Sequence, residues 1–147
     1  MRITRTAALV SVCFASSIAF ASPTPSTPKA ASYLAQEAET NPALAKSFAT
    51  LTAPIANKAE WVKSYGTATP SVAVELDGQP YLLFSGCKPH DCPAETYVVL
   101  YDMKSKQMVA GAYVVNTFKD GSAVSSTIEW LGSPNFDQTT LLGQTLY

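Results

Sequence analysis

Beyond its first 21 residues the chain contains no arginine, and His90 is its only histidine. Eight lysines there face eleven acids, a formal charge of about −3 at reference pKa values. A mildly acidic chain without arginine is a poor nucleic-acid binder and is better suited to a basic partner. One imidazole leaves no histidine set for a metal centre. Gly-x-Ser-x-Gly, a phosphate-binding loop and His-Glu-x-x-His are all absent, so the usual hydrolase and nucleotide motifs are excluded. No repeat with a period of about 20–50 residues appears, which argues against a solenoid or propeller.

Residues 1–21 read as a secretory signal. Arg2 and Arg5 precede an uncharged apolar run over residues 7–20, and Ala19-Phe20-Ala21 supplies small residues at the two positions a signal peptidase reads. The run is too short and wrongly flanked for a membrane span. A lipoprotein signal ending at Cys13 is the rival, but Val12 fits such a site poorly and residues 14–20 would become a greasy N-terminus. Cleavage after Ala21 leaves 126 of the 147 residues, enough for one domain with one core and no membrane attachment. Cys13 departs with the signal. Cys87 and Cys92 remain as an even pair in an oxidising compartment, so a disulfide is expected. Closing so short a loop contributes roughly 2 kcal/mol, and its larger effect is local ordering.

Residues 22–29, rich in Pro, Thr and Ser, read as a flexible leader, and residues 30–147 as a single domain. Residues 30–39 are good helix formers anchored by Tyr33 and Leu34. Asn41-Pro42 starts a second helix, Asn as cap and Pro in the first turn. Leu44, Phe48, Leu51 and Ile55 give it one apolar face until Pro54 breaks or kinks it. Residues 56–65 predict a third short helix, with Trp61, Val62 and Tyr65 inward and Gly66 ending it.

The period then changes to that of strands. Val72, Val74 and Leu76 alternate with Ala73 and Glu75, and Asp77-Gly78 is a two-residue hairpin turn. Strands follow over 79–86, 97–101, 108–117 and 123–130, with turns at 104–106 and 119–122. A short helix or ordered tail should then pack down through Phe136, Leu141, Leu142 and Leu146. The fold class is α+β: a five-stranded antiparallel meander sheet with helices packed on it.

Between the second and third strands lies Cys87-Lys88-Pro89-His90-Asp91-Cys92, a hairpin tip carrying the one imidazole. The plain reading is a staple with a polar surface. A redox site is disfavoured because thioredoxin-like motifs place two residues between the cysteines, not four. Six contiguous residues can hardly wrap four donors tetrahedrally around a metal. Catalysis would need a nucleophile or acid beside His90, and Asp91, its neighbour in sequence, points elsewhere on a tight loop as often as towards it. The remaining reading is insertion, in which a stiff loop tipped by a ring that donates and accepts hydrogen bonds plugs another protein's cleft.

Cys87-Lys88-Pro89-His90-Asp91-Cys92 resembles the loop of the Ivy family, periplasmic inhibitors of vertebrate (c-type) lysozyme from Gram-negative bacteria. Trp61-Val62, Gly66-Thr67-Ala68-Thr69-Pro70, Leu76-Asp77-Gly78 with Tyr81, and Leu131-Gly132 with Pro134 match in the same order. The resemblance implies a five-stranded antiparallel sheet with helices packed on it. It also implies a periplasmic protein that is not an enzyme and needs no cofactor or metal. His90 would reach the two catalytic carboxylates of a lysozyme, Cys87 and Cys92 would lock the loop, and Lys88, Pro89 and Asp91 would shape it. The implied partner is c-type lysozyme, with the cell's own lytic transglycosylases as a second target, and a homodimer stays open. A periplasmic structural protein that uses the loop only as a staple is the remaining alternative.

Overall fold

The computed structural model describes residues 31–146. The signal expected over residues 1–21, Cys13 within it, and the leader over 22–29 lie outside the described residues.

Three helical segments precede the sheet. Helix α1 spans Leu34–Thr40 and α2 spans Pro42–Thr52. The junction follows from Asn41-Pro42: the Asn41 side chain accepts from Leu44 N at 3.1 Å, and Pro42 has no N–H to leave unpaired. Leu44 and Phe48 are buried on the inner face of α2. The helix ends two residues before Pro54, so Ile55, though buried, sits in the turn beyond it. The helix expected over 56–65 is shorter than its composition suggests. Only Glu60–Ser64 is helical, as one 3-10 segment, and Tyr65 (φ 67°) and Gly66 (φ 62°) end it in the left-handed region.

Five long strands follow: β2 (Val72–Leu76), β3 (Gln79–Cys87), β4 (Glu95–Asp102), β5 (Gln107–Lys119) and β6 (Ser122–Gly132). A two-residue strand, β1 (Thr67–Ala68), precedes them. The long strands form an antiparallel meander in which each pairs with the next. One edge of β3 takes β2 along its first half and β1 at its last two residues. Asp77-Gly78 and Asp120-Gly121 both adopt positive φ, as tight hairpins require.

Both faces of the sheet are covered. On one, α1, α2 and the 3-10 segment pack Leu34, Leu44, Phe48 and Val62 on Leu82, Phe84, Tyr97, Val99 and Leu131. The N–H of Met108, beside a bulge in β5, donates to the buried Ser47 Oγ at 2.6 Å and pins α2 to the sheet. Helix α3 (Phe136–Thr145) covers the opposite face, where Leu142 is fully buried with Leu83, Val98, Leu100 and Ala110. Leu141 and Leu146 pack around that cluster, but Phe136, expected to pack down with them, is 83% exposed. It is the first residue of α3, ahead of the turn that reaches the sheet.

Because Leu142 is the one fully buried contact of α3, Leu142→Ala should cost about 2–4 kcal/mol in urea unfolding. Amides of α3 should then exchange faster than those of β4.

Candidate functional site

At the end of β3 the chain leaves the sheet at Cys87, whose partner on β4 is Thr96. The intervening residues form the cysteine loop, and Cys87 and Cys92 are disulfide-bonded with Cα atoms 4.7 Å apart. Within the loop, Asp91 N donates to Lys88 O at 3.0 Å. That closes a β-turn with Pro89 second and His90 third. His90 has φ 66°, the left-handed value that glycine usually supplies at the third position of a type II turn. A side chain there costs of order 1 kcal/mol. The loop's own carbonyls are also used. Asp91 O accepts from Ala94 N at 3.0 Å, Cys92 O from Thr96 Oγ1 at 3.1 Å, and Pro93 O from Asn116 Nδ2 at 2.8 Å. Little backbone is left to reorganise.

Pro89, His90 and Asp91 are exposed at the tip. Asp91 faces Lys88 Nζ at 3.7 Å instead of the histidine, and no side chain among the described residues hydrogen-bonds the His90 ring. An orienting acid for a catalytic histidine is therefore not built into the loop. Among the described residues, no three His, Cys, Asp or Glu side chains gather as metal ligands. The ring is presented with both nitrogens available to a partner.

Glu95, the first residue of β4, holds the loop from below, and nothing in the sequence singles it out. Its side chain is only 16% exposed. Oε1 accepts from Lys88 Nζ at 2.6 Å, and Oε2 accepts from Tyr113 OH at 2.6 Å and Trp61 Nε1 at 3.0 Å. Burial pushes its pKa up, but the hydrogen bonds from Lys88, Tyr113 and Trp61 outweigh it and hold the carboxyl below the ordinary glutamate range. The same hydrogen bond to Glu95 raises the pKa of Lys88. Tyr113 is pushed up by burial and then by its bond to Glu95. The available signal was indirect: a half-buried Trp and a buried Tyr each need an acceptor for their polar end.

Beneath Glu95, Trp61 stacks on Tyr97 at 5.8 Å, and Phe48 meets Tyr97 and Tyr65 at 5.5 and 5.2 Å. Tyr97 OH donates to Tyr65 O at 2.8 Å. Two glycines permit this close base. A Cβ on Gly66 would lie 2.4 Å from Cys87 O and 2.6 Å from the Trp61 ring, and one on Gly86 would lie 2.7 Å from Tyr97 OH.

The family described as "Inhibitor of vertebrate lysozyme (Ivy)" matches residues 43–141, from α2 through the loop into α3. The chain belongs to the Ivy family. An inhibitor of vertebrate lysozyme from Escherichia coli is 44% identical over 48 residues, 33% of this chain and 31% of that protein. One of the same name from Pseudomonas aeruginosa is 30% identical over 93 residues, 59% of this chain and 60% of that protein. The matched segments thus span less than two thirds of these Ivy relatives. Both names are those of inhibitors, not of enzymes.

Removing the Glu95 carboxylate leaves three donors without their acceptor, so Glu95→Ala should cost about 2–4 kcal/mol in denaturant unfolding. A carboxyl with a lowered folded pKa adds stability above the ordinary value of 4.5 and loses it as pH falls through the folded value. The melting temperature of the unmodified protein should therefore fall more steeply below about pH 4.5 than that of Glu95→Gln. Parallel pH profiles would show that Glu95 is not held ionised.

Proposed function

We propose that this protein is a periplasmic inhibitor of c-type lysozyme that plugs the enzyme's cleft with the loop from Cys87 to Cys92. The observation that carries this reading is an exposed imidazole, without a hydrogen-bond partner among the described residues, on a disulfide-closed tip in a member of the Ivy family. The signal read in residues 1–21 supports export, and the cysteine pair suits an oxidising compartment.

Retaining glycosidases carry an acid and a nucleophilic carboxyl roughly 5 Å apart, the acid kept protonated by its surroundings. An imidazole between them donates to the carboxylate and accepts from, or also donates to, the other group. It occupies the space of the sugar and water atoms that would react there. The loop loses little freedom on entering, because its turn, its disulfide and Lys88–Glu95 are already in place. Pro89 and Asp91 flank the ring, and Lys88 stays tied to Glu95 at its base. A net-acidic inhibitor is also steered towards a basic enzyme.

His90→Gly should weaken inhibition of a c-type lysozyme by about one to two powers of ten, the loss of a hydrogen bond to a charged group. Its thermal stability should hold or rise, because glycine relieves the left-handed φ. His90→Gln separates two mechanisms: near-normal inhibition indicates neutral hydrogen bonding, and weak inhibition indicates an imidazolium. If neither substitution changes inhibition, His90 is not the plug. A lytic transglycosylase assayed beside the lysozyme identifies the cell's own enzymes as the target if it alone is inhibited.

Raising salt from low ionic strength should slow association with lysozyme and leave dissociation nearly unchanged. The acid excess acts at long range, whereas the loop's hydrogen bonds form only after water has left. An association rate independent of salt would remove net charge from the account.

A further inference from the structure

Stable protein–protein interfaces use about 20–30 residues on each side, and the cysteine loop has six. Whatever takes the loop must touch more of this protein at the same end of the sheet. On one flank lies β1, with the short polar residue Thr67 and, just past the strand, Thr69. On the other, β5 and β6 run on past the start of β4, whose first residue, Glu95, pairs with Val115. Thr117 to Lys119 and Ser122 to Ser125 consequently pair only with each other, as a two-stranded ribbon.

Such a ribbon is marginal in water on its own. This one also exposes large apolar side chains: Phe118 is 42% exposed and Val124 58%, with Val115 at its root 37% exposed. It is fastened to the loop. Asn116 N donates to Ala94 O at 2.8 Å, Asn116 Nδ2 to Pro93 O at 2.8 Å, and Ser126 Oγ to Asn116 Oδ1 at 2.6 Å. On the face covered by α1, α2 and the 3-10 segment, a groove of about 260 Å³ runs between Glu95 at the loop's base and Val115 and Thr127 at the ribbon's root. Lys58, paired with Glu129 and lying over the Tyr113 ring, forms its remaining wall.

We propose that the β5–β6 ribbon is a second contact for the loop's partner, with Phe118 and Val124 docking on apolar surface at the rim of the cleft that receives His90. This inference rests on the cleft-plugging reading above. The hydrogen bonds through Asn116 fix the spacing of the two prongs before binding, so the second contact adds affinity at little further ordering cost. Its contribution lies in the lifetime of the complex, since apolar surface acts only after the partners meet.

The test measures binding of a c-type lysozyme to the unmodified mature protein, to the double variant Phe118→Ser/Val124→Ser, and to Phe136→Ser. Phe136 is equally apolar and more exposed, and lies at the opposite end of the sheet beside Asp77. The double variant should bind about 10- to 50-fold more weakly, mainly through faster dissociation, and Phe136→Ser should bind like the unmodified protein. In the unmodified protein, amide exchange over residues 117–124 should slow when lysozyme is added, while that over 104–106 stays unchanged. The second-contact inference is overturned if the double variant binds normally, if Phe136→Ser is weakened as much, or if 117–124 gain no protection. A weak His90→Gly beside a normal double variant would remove the ribbon and leave the plug. Absence of any lysozyme binding by the unmodified protein would remove both.

Discussion

The Glu95 carboxylate is the constraint on which the loop's geometry depends. A carboxylate taken out of water without partners is costly enough that it normally takes up a proton. Here three donors arrive from three elements: Trp61 from the 3-10 segment, Tyr113 from β5 and Lys88 from the loop itself. Each donor has its own reason to be there, since the indole and phenol are packed and need an acceptor, and Lys88 leaves the sheet next to Cys87. Meeting all three needs fixes the helical layer, the sheet and the loop relative to one another. The exposed tip is thereby coupled to the buried core through one side chain.

Covering both faces of the sheet serves the same end. The aromatic group of Phe48, Trp61, Tyr65 and Tyr97 forms a floor beneath the point where β3 releases the loop, and Gly66 and Gly86 let that floor approach the strand closely. On the far face, Leu142 of α3 packs with Val98, a central residue of β4. The tip therefore stands on strands held from both sides, which suits a loop that must keep its shape against another protein.

Features set by local chemistry were legible in the sequence. Asn41-Pro42, Asp77-Gly78 and the turn before Ser122 are written in residues whose backbone preferences decide the matter. The loop itself was legible because a Cys pair around one Pro-His step is rare. Features set by tertiary context were not. The expected helix over 56–65 contracts to Glu60–Ser64, whose Trp61 stacks on Tyr97 of the sheet while Tyr65, just beyond it, meets Phe48 of α2. Phe136 reads as core by composition, yet its place at the start of α3 leaves it in water. Strand β1 is two residues long and has no period to detect. Glu95 lies outside the strand expected over 97–101, and donors 34, 18 and 7 residues away leave no local mark on it. The left-handed φ of His90 was half legible, since Pro89 favours the second position of such a turn while histidine is an uncommon third.

The magnitudes show why the loop needs more than its disulfide. A closure of this length contributes only roughly 2 kcal/mol, and does so through the unfolded state. The shape of the folded loop is set by the turn from Lys88 to Asp91, the carbonyls used by Ala94, Thr96 and Asn116, and the Lys88–Glu95 contact. Those contacts also carry the strain at His90, of order 1 kcal/mol, which a loop held only at Cys87 and Cys92 could relax by rotating the ring's backbone away from the tip. A left-handed histidine therefore persists because the loop is over-determined. The residues that over-determine it lie mainly outside the six-residue motif, on β4 and β5.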